Sequence, residues 1–292
     1  MKLKAKTKGA LLILFSAFSF AWMSTFVFLA GEIPFFQKAL FRNGVALLIA
    51  GSSMVVSKRT LSVPPPCRLA LVSRVLCGSV SVFCNFYAID RLLLASSNSL
   101  NKLAPFFAIV LAACYLGERI GRRQAVCMAV AFAGSLFLIV PSLDTRGLPC
   151  LIALIGAATS GGAFVSLRAL QRVGILAPSV IVFFFSLTTT TIALVPSVLF
   201  WTPMRAQQLL FLLLAGMACA IGQFALTYAY RYAAPREISL CGCTQIVFSG
   251  ILGFYILDQV PSGESLIAYV LIVAASAMLL CSREPMRTSG AE

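Results

Sequence analysis

Ten apolar stretches of about 20 residues constrain the fold of this chain more than any other feature. A helix of roughly 20 residues crosses about 30 Å, which is the thickness of the hydrocarbon core of a bilayer. The chain is 60% hydrophobic and only 11% charged, whereas soluble domains are about 25% charged. We therefore predict an all-α polytopic membrane protein. Its ten transmembrane helices are expected over residues 9–30, 34–56, 69–89, 92–116, 125–142, 148–170, 175–200, 207–230, 235–257 and 265–281.

The second five stretches repeat the first five at an offset of 140 residues. Matching pairs include Arg91 and Arg231, Ser99 and Ser239, Tyr115 and Tyr255, and Glu118 and Asp258. We expect one five-helix repeat over residues 1–142 and a second over residues 143–292. Because each repeat has an odd number of spans, the second repeat is inverted in the membrane relative to the first. Inverted repeats are typical of secondary transporters, whose substrate site lies near the bilayer midplane at the repeat interface.

Basic residues are distributed unevenly between the two sides of the predicted membrane. The net charge is +14. With the N-terminus inside, sixteen basic residues fall in cytoplasmic segments, and only Arg91, Arg146 and Arg205 fall in outer loops. Cytoplasmic loops of membrane proteins carry such an excess. We therefore predict a multi-pass protein of the cell inner (cytoplasmic) membrane with both termini in the cytoplasm, and we expect no nucleic-acid partner.

The sequence lacks the residues that several kinds of membrane chemistry need. It has no histidine, and no Asp or Glu lies well inside a predicted span. A histidine-based triad, a His-ligated metal and a buried carboxylate proton relay are therefore excluded. Most of the ten cysteines fall inside spans, where Cys behaves as a small hydrophobe. We expect no enzymatic activity, no cofactor, no metal cluster and no disulfide framework.

Predicted helix 4 carries a polar stripe. Asn98, Asn101, Lys102 and Pro105 follow i, i+3, i+4, i+7 spacing and share one helix face. Lys102 is expected about 15 Å deep, near the midplane, where a basic residue costs roughly 2.5–3.5 kcal/mol. Pro105 frees the carbonyl near Asn101 from its helical partner, as in the broken helices that line transporter sites. The stripe is therefore a candidate substrate site.

Predicted helix 2 contributes a second buried cation. Arg42 is expected about 12 Å deep, one turn after Lys38. Two cations at similar depth, Arg42 and Lys102, need an anion or several carbonyls between them. We infer a substrate with a carboxylate or phosphate, and the alternative is that Arg42 braces helix ends through carbonyls. Lys38, Arg74 and Arg168 are expected to extend their charged groups to the membrane surface.

The second repeat is less polar at the matching place. Lys102 falls on Gly242, and nearby Gln245 is the strongly polar residue near mid-depth. Such asymmetry suits a ligand that is charged at one end and neutral at the other. Aromatic side chains expected close to these positions are Trp22, Tyr87 and Tyr228.

Glycines 161 and 162 lie in the middle of predicted helix 6. Small residues in a span let helices approach closely, which is our interpretation here. The alternative is that the pair leaves room for a central cavity opposite Trp22, with which it is in register.

Local motifs add a resemblance that covers essentially the whole chain. They are Phe41-Arg42-Asn43, Asn85-Phe86-Tyr87-Ala88-Ile89, Ser99-Leu100-Asn101-Lys102-Leu103-Ala104-Pro105-Phe106-Phe107 and Leu116-Gly117-Glu118-Arg119-Ile120. With the ten helices in two inverted halves, the chain resembles the EamA-domain branch of the drug/metabolite transporter superfamily.

The resemblance implies an alternating-access carrier with a central cavity lined mainly by helices 1, 3, 4, 6, 8 and 9. It places six residues near that cavity, namely Trp22, Tyr87, Asn101, Lys102, Tyr228 and Gln245. Helix 2 is more peripheral in such folds, which favours the bracing role for Arg42.

Three functions are compatible with these observations. The first is a secondary transporter for a small anionic or zwitterionic metabolite, such as an amino acid or a carboxylate. The second is a transporter or exchanger of S-adenosylmethionine or a nucleotide-like metabolite. The third, a polytopic membrane enzyme acting on lipid head groups, is disfavoured by the missing histidines and buried acids and by the short loops. The expected partners are a small-molecule substrate and the lipid bilayer, with the protein a monomer or homodimer.

Overall fold

The structure is a computed structural model that describes residues 5–91, 100–101, 103–117, 120–139, 147–258, 260 and 263–281. These residues are mostly helical and contain no strand, so the all-α prediction is confirmed. The helices are α1 (Ala5–Leu29), α2 (Phe35–Val56), α3 (Pro65–Arg91), α4 (Ala104–Leu116), α5 (Arg122–Ile139), α6 (Gly147–Val173), α7 (Pro178–Leu199), α8 (Ala206–Tyr232), α9 (Gln245–Leu257) and α10 (Gly263–Cys281).

Seven segments are long and apolar enough to cross a membrane. They are α1, α2, the Pro65–Ala88 part of α3, α6, α7, α8, and the continuous Ser239–Leu257 segment that ends with α9. Helix α4 and the Leu266–Met278 part of α10 are shorter apolar helices. Large apolar side chains such as Leu48 and Leu69 are exposed at 70% and 83%, as expected for surfaces that face lipid. The chain is therefore a polytopic membrane protein, with seven of the ten predicted spans meeting the length criterion within the described residues.

Two predicted spans contain a helix that begins inside the span, at Ala104 and at Gln245. The segment predicted as one helix over residues 235–257 is a short helix (Pro235–Ile238), a 3-10 helix (Ser239–Thr244) and then α9. Helix α4 begins at Ala104 with Pro105 in its first turn, where the missing N–H of proline costs no hydrogen bond. Each half of the chain thus contains a 13-residue helix that starts inside a predicted span, at Ala104 and at Gln245.

The helices pack mainly in four pairs: α1 with α8, α3 with α6, α2 with α7, and α5 with α10. Glycine permits the closest approaches. A Cβ atom at Gly216 of α8 would lie 2.6 Å from Val45 Cβ of α2, and one at Gly156 of α6 would lie 2.8 Å from Cys84 Cβ of α3. Since real Cβ atoms do not approach so closely, these backbones are in direct contact, which is the usual role of small residues between membrane helices.

Helix lengths recur along the chain. Helices α2 and α7 both have 22 residues, α3 and α8 both have 27, and α4 and α9 both have 13. Helix α4 ends at Gly117 with φ 63°, and α9 ends at Asp258 with φ 52°. These two left-handed ends are 141 residues apart, one residue more than the offset predicted from the sequence.

Buried hydroxyl groups connect neighbouring helices inside the bundle. Ser79 of α3 and Thr189 of α7 are joined by a 2.9 Å hydrogen bond between their hydroxyls. Ser16 of α1 donates to the Gly222 carbonyl of α8 at 2.8 Å. Because no water competes for these groups in an apolar interior, such bonds help to fix which helix faces which neighbour.

Candidate functional site

Two arginines are buried among the helices. Arg42 of α2 is 8% exposed and Arg74 of α3 is 3% exposed. The expectation that Arg74 extends to the membrane surface is therefore wrong. Its guanidinium lies over the ring of Phe185 on α7, 4.3 Å from the ring centroid. The space for it exists because Gly78 lacks a side chain: a Cβ there would collide with Arg74 Nη1 and lie 2.7 Å from the Phe185 ring.

Helix α8 supplies an acceptor for each arginine. Arg42 Nε donates to Cys219 Sγ at 3.1 Å, and Arg74 Nη2 donates to Gln223 Oε1 at 3.1 Å. Cys219 and Gln223 are four residues apart, so they lie one turn apart on the same face of α8. Cys219 is 13 residues from either end of this helix, and the site is therefore near mid-depth. We call Arg42, Arg74, Cys219 and Gln223 the arginine cluster.

Aromatic rings border both guanidinium groups. Arg42 lies over Phe86 of α3 with 6.0 Å between its Cζ atom and the ring centroid, and Arg74 lies over Phe185 as described above. The electron-rich face of an aromatic ring attracts a cation, more strongly where water is excluded.

The arginine cluster has an excess of positive charge and of hydrogen-bond donors. The charge of Arg42 acts unfavourably on that of Arg74. Each guanidinium has five N–H donors but makes one side-chain hydrogen bond, and Arg74 Nε is buried without a partner. Within the described part of the chain, no acidic side chain pairs with either arginine. The arrangement can therefore bind an anion that offers several acceptor oxygens.

A second polar group lies at the C-terminal end of α8. Tyr230 is 1% exposed, and its hydroxyl is 3.0 Å from Ser239 Oγ. Arg168 Nη1 of α6 donates to the Tyr230 carbonyl at 2.7 Å, and Arg172 Nη1 donates to the Leu116 carbonyl at the end of α4 at 3.3 Å. Cations stabilise helix C-termini through the helix dipole. These arginines therefore join the end of α6 to the ends of α8 and α4.

The residues predicted from the sequence are spread over several helices. Trp22 of α1, Tyr87 of α3, Asn101 before α4 and Gln245 at the start of α9 are half-buried, and Tyr228 of α8 is 39% exposed. Lys102 and Asn98 lie outside the described residues. Of the predicted set, the structure places Arg42 in the arginine cluster, and the contacts of that cluster include none of the other described members.

Sequence reasoning missed Arg74, Gln223 and Cys219. Two signals were present in the sequence. Gln223 is an isolated amide in a strongly apolar helix, and Gly78 lies one turn after Arg74, where it leaves space beside the long side chain.

Comparison with known proteins identifies the family. The model of the EamA-like transporter family matches residues 7–140. Residues 7–140 are therefore similar to this family, and the match spans a little under half of the chain. This confirms the resemblance that the local motifs indicated, and it supports a membrane transporter in broad terms.

Relatives of this EamA-like chain are also transporters. The pseudopaline exporter CntI of Pseudomonas aeruginosa is 28% identical over 286 residues, which cover 94% of this chain and 96% of the exporter. A riboflavin transporter of Rhizobium johnstonii is 28% identical over 186 residues, or 63% of this chain and 60% of that protein.

A solved crystal structure has the same fold as this EamA-like chain. The match has a TM-score of 0.80 at 18% identity and covers 93% of this chain and 96% of the other. At this identity the likeness concerns the fold alone, and it extends across both halves of the chain.

Proposed function

We propose that the chain is a secondary transporter that moves a small organic metabolite across the cytoplasmic membrane by alternating access. The substrate is anionic or zwitterionic, such as an amino acid or a carboxylate. The observation that carries this proposal is Arg42, buried near mid-depth without an acidic partner among the described residues. An anionic substrate supplies the missing charge.

The proposed architecture is two inverted five-helix repeats, over residues 1–142 and 143–292. Matching helix lengths support it, and so does the packing. If each helix of the first five is exchanged with its counterpart among the second five, the α1–α8 pair becomes the α6–α3 pair. The α2–α7 and α5–α10 pairs remain the same pairs. A pseudo-two-fold axis in the membrane plane produces this pattern. The two exchanged pairs, α1–α8 and α3–α6, are the units whose relative movement would open the site to one side at a time.

The proposed substrate site combines the polar stripe of Asn98, Asn101 and Lys102 with side chains of other helices. Those side chains are Arg42, Trp22, Tyr87, Tyr228 and Gln245. Packing of α1 against α9 supports part of this arrangement, because it makes the helices that carry Trp22 and Gln245 direct neighbours.

The proposed location is the inner membrane, with both termini in the cytoplasm. Sixteen basic residues on the cytoplasmic side and three outside support this orientation. Similarity to the CntI exporter along almost its whole length favours export as the direction of transport.

A second candidate is transport or exchange of S-adenosylmethionine or another nucleotide-like metabolite. An aromatic group on α1 and α9 favours it. The ring centroids of Trp22 and Phe26 are 5.3 Å apart, and those of Phe18 and Phe248 are 5.5 Å apart. Aromatic side chains of this kind stack on nucleobases.

The test is a thermal-shift screen of the purified protein with a metabolite library, followed by uptake of each hit into proteoliposomes. We expect carboxylated compounds to stabilise the protein, and Lys102→Gln to abolish their uptake with normal membrane insertion. Stabilisation by a nucleotide-like compound would favour the second candidate. Stabilisation by neutral or cationic compounds alone, or unimpaired anion uptake by Lys102→Gln, would contradict the proposed site.

A further inference from the structure

We infer that the arginine cluster binds an organic dicarboxylate, with Arg42 holding one carboxylate and Arg74 the other. This inference rests on the proposed function, because it defines the substrate class of the same transporter. It adds Arg74, Gln223 and Cys219 to the substrate site.

Charge balance requires two negative charges on the ligand. Moving a cation from water into a protein interior costs several kcal/mol unless a partner compensates it. Arg42 and Arg74 are 8% and 3% exposed and repel each other, and the acidic residues of the described chain pair with neither. A monoanion would leave one buried cation uncompensated, whereas a dianion neutralises both.

The unused donors indicate that the ligand binds through oxygen atoms. Guanidinium groups bind carboxylates through two parallel N–H···O bonds. Arg42 uses Nε for Cys219, which leaves its two terminal nitrogens for a ligand. Arg74 uses Nη2 for Gln223, and its Nε is buried without a partner. Each arginine therefore retains enough donors for a carboxylate of its own.

Spacing favours two separate carboxylates over one phosphate. The anchors Cys219 and Gln223 are one helical turn apart, and side chains at this spacing are about 5–6 Å apart. Two guanidinium groups that are anchored on neighbouring turns are more readily bridged by two carboxylates of one molecule than by one phosphate, whose oxygens are much closer together. The rings of Phe86 and Phe185 lie beside the two guanidinium groups, at 6.0 Å and 4.3 Å from ring centroid to Cζ.

The test measures the affinity of the purified protein for succinate, butyrate, succinamide and inorganic phosphate by isothermal titration calorimetry. For the wild type we expect succinate to bind at least tenfold more tightly than each of the other three. Similar affinities for succinate and butyrate would overturn the inference, and so would a preference for phosphate.

Four variants test whether Arg42 and Arg74 cause the preference for succinate. Arg42→Gln and Arg74→Gln should each lower succinate affinity at least tenfold and remove the preference over butyrate. Arg122→Gln, which changes an exposed arginine at the start of α5, should bind like the wild type. Arg74→Lys keeps the charge with fewer oriented donors, so it should retain part of the preference if the glutamine variant does not fold. Wild-type preference in both Arg74 variants would overturn the role of this residue.

Counterflow in proteoliposomes distinguishes failure of the dicarboxylate site from failure of the proposed transport function. If another metabolite is exchanged and succinate is neither bound nor exchanged, the transporter stands and the dicarboxylate site is wrong. If succinate binds with the expected preference but no library compound is transported, the site stands and the proposed function is wrong.

Discussion

Gly161 and Gly162 provide a direct test of the close packing between α6 and α4. A Cβ atom at Gly161 would lie 2.6 Å from Phe107 Cβ and 2.8 Å from the backbone nitrogen of Ala108. The nearest atom to a Cβ at Gly162 is Cys77 Sγ at 3.6 Å, which is an ordinary contact. Gly161→Ala should therefore force α4 and α6 apart, and Gly162→Ala is a matched control at the next position of the same helix.

The size of the effect follows from two opposing terms. Overpacking a well-packed site costs about 1–3 kcal/mol, while alanine is favoured over glycine in a helix by roughly 0.5–1 kcal/mol. Gly161→Ala should therefore lose up to about 2.5 kcal/mol of unfolding free energy. Gly162→Ala avoids the overpacking term and should gain up to about 1 kcal/mol. The expected difference between the two variants is about 2 kcal/mol, or roughly 4–8 °C in melting temperature.

The assay is thermal unfolding of the two purified variants and the wild type in the same detergent, with monodispersity checked by size-exclusion chromatography. We expect the order of melting temperatures to be Gly162→Ala, then wild type, then Gly161→Ala. A melting temperature for Gly161→Ala equal to or above that of Gly162→Ala would mean that α4 and α6 are not in backbone contact at this position.

Further predictions concern individual bonds and one helix end. A double-mutant cycle of Ser79→Ala and Thr189→Ala should give a coupling free energy of about 0.6 kcal/mol in thermal or chemical unfolding, the average for hydrogen bonds between membrane helices; a coupling of zero would mean that the two hydroxyls do not bond. Tyr230→Phe removes the bond to Ser239 and should destabilise the protein by about 1 kcal/mol, measured in the same assay, whereas an unchanged stability would contradict the bond. Asp258→Gly should stabilise the protein by a few tenths of a kcal/mol to about 1 kcal/mol and Asp258→Val should destabilise it, because the backbone at this position is left-handed; the reverse order of melting temperatures would contradict that conformation.

Much of the fold was predictable because the length of a hydrophobic run can be read directly from the sequence. The spans of α1, α2, α6, α7 and α8 all follow from runs of hydrophobic residues. The interruption in the second half was not predicted: residues 235–257 read as one apolar run, but the segment begins with a proline and continues as a 3-10 helix through Ser239–Thr244. The length of a hydrophobic run does not indicate whether its backbone forms an α-helix or a 3-10 helix.

The arginine cluster could be predicted only in part from the sequence. Arg42 could be selected because its charge lies deep in an apolar run. Arg74 is only nine residues from the start of α3, a distance from which a long side chain can reach the membrane surface. Its burial depends on Phe185 and Gln223, which are far away in the sequence and become neighbours only when α3 packs against α7 and α8. Contacts of this kind cannot be read from the spacing of residues along one helix.

Transport by alternating access is tested directly by a counterflow measurement in proteoliposomes that contain the purified protein. The vesicles are loaded with an excess of the most strongly stabilising metabolite and diluted into a trace amount of the same compound carrying a radiolabel. An alternating-access carrier predicts that the label accumulates transiently above its equilibrium level and that the accumulation saturates with substrate. Entry of the label without an overshoot, or at the rate of protein-free vesicles for every stabilising compound, would contradict alternating-access transport by this protein.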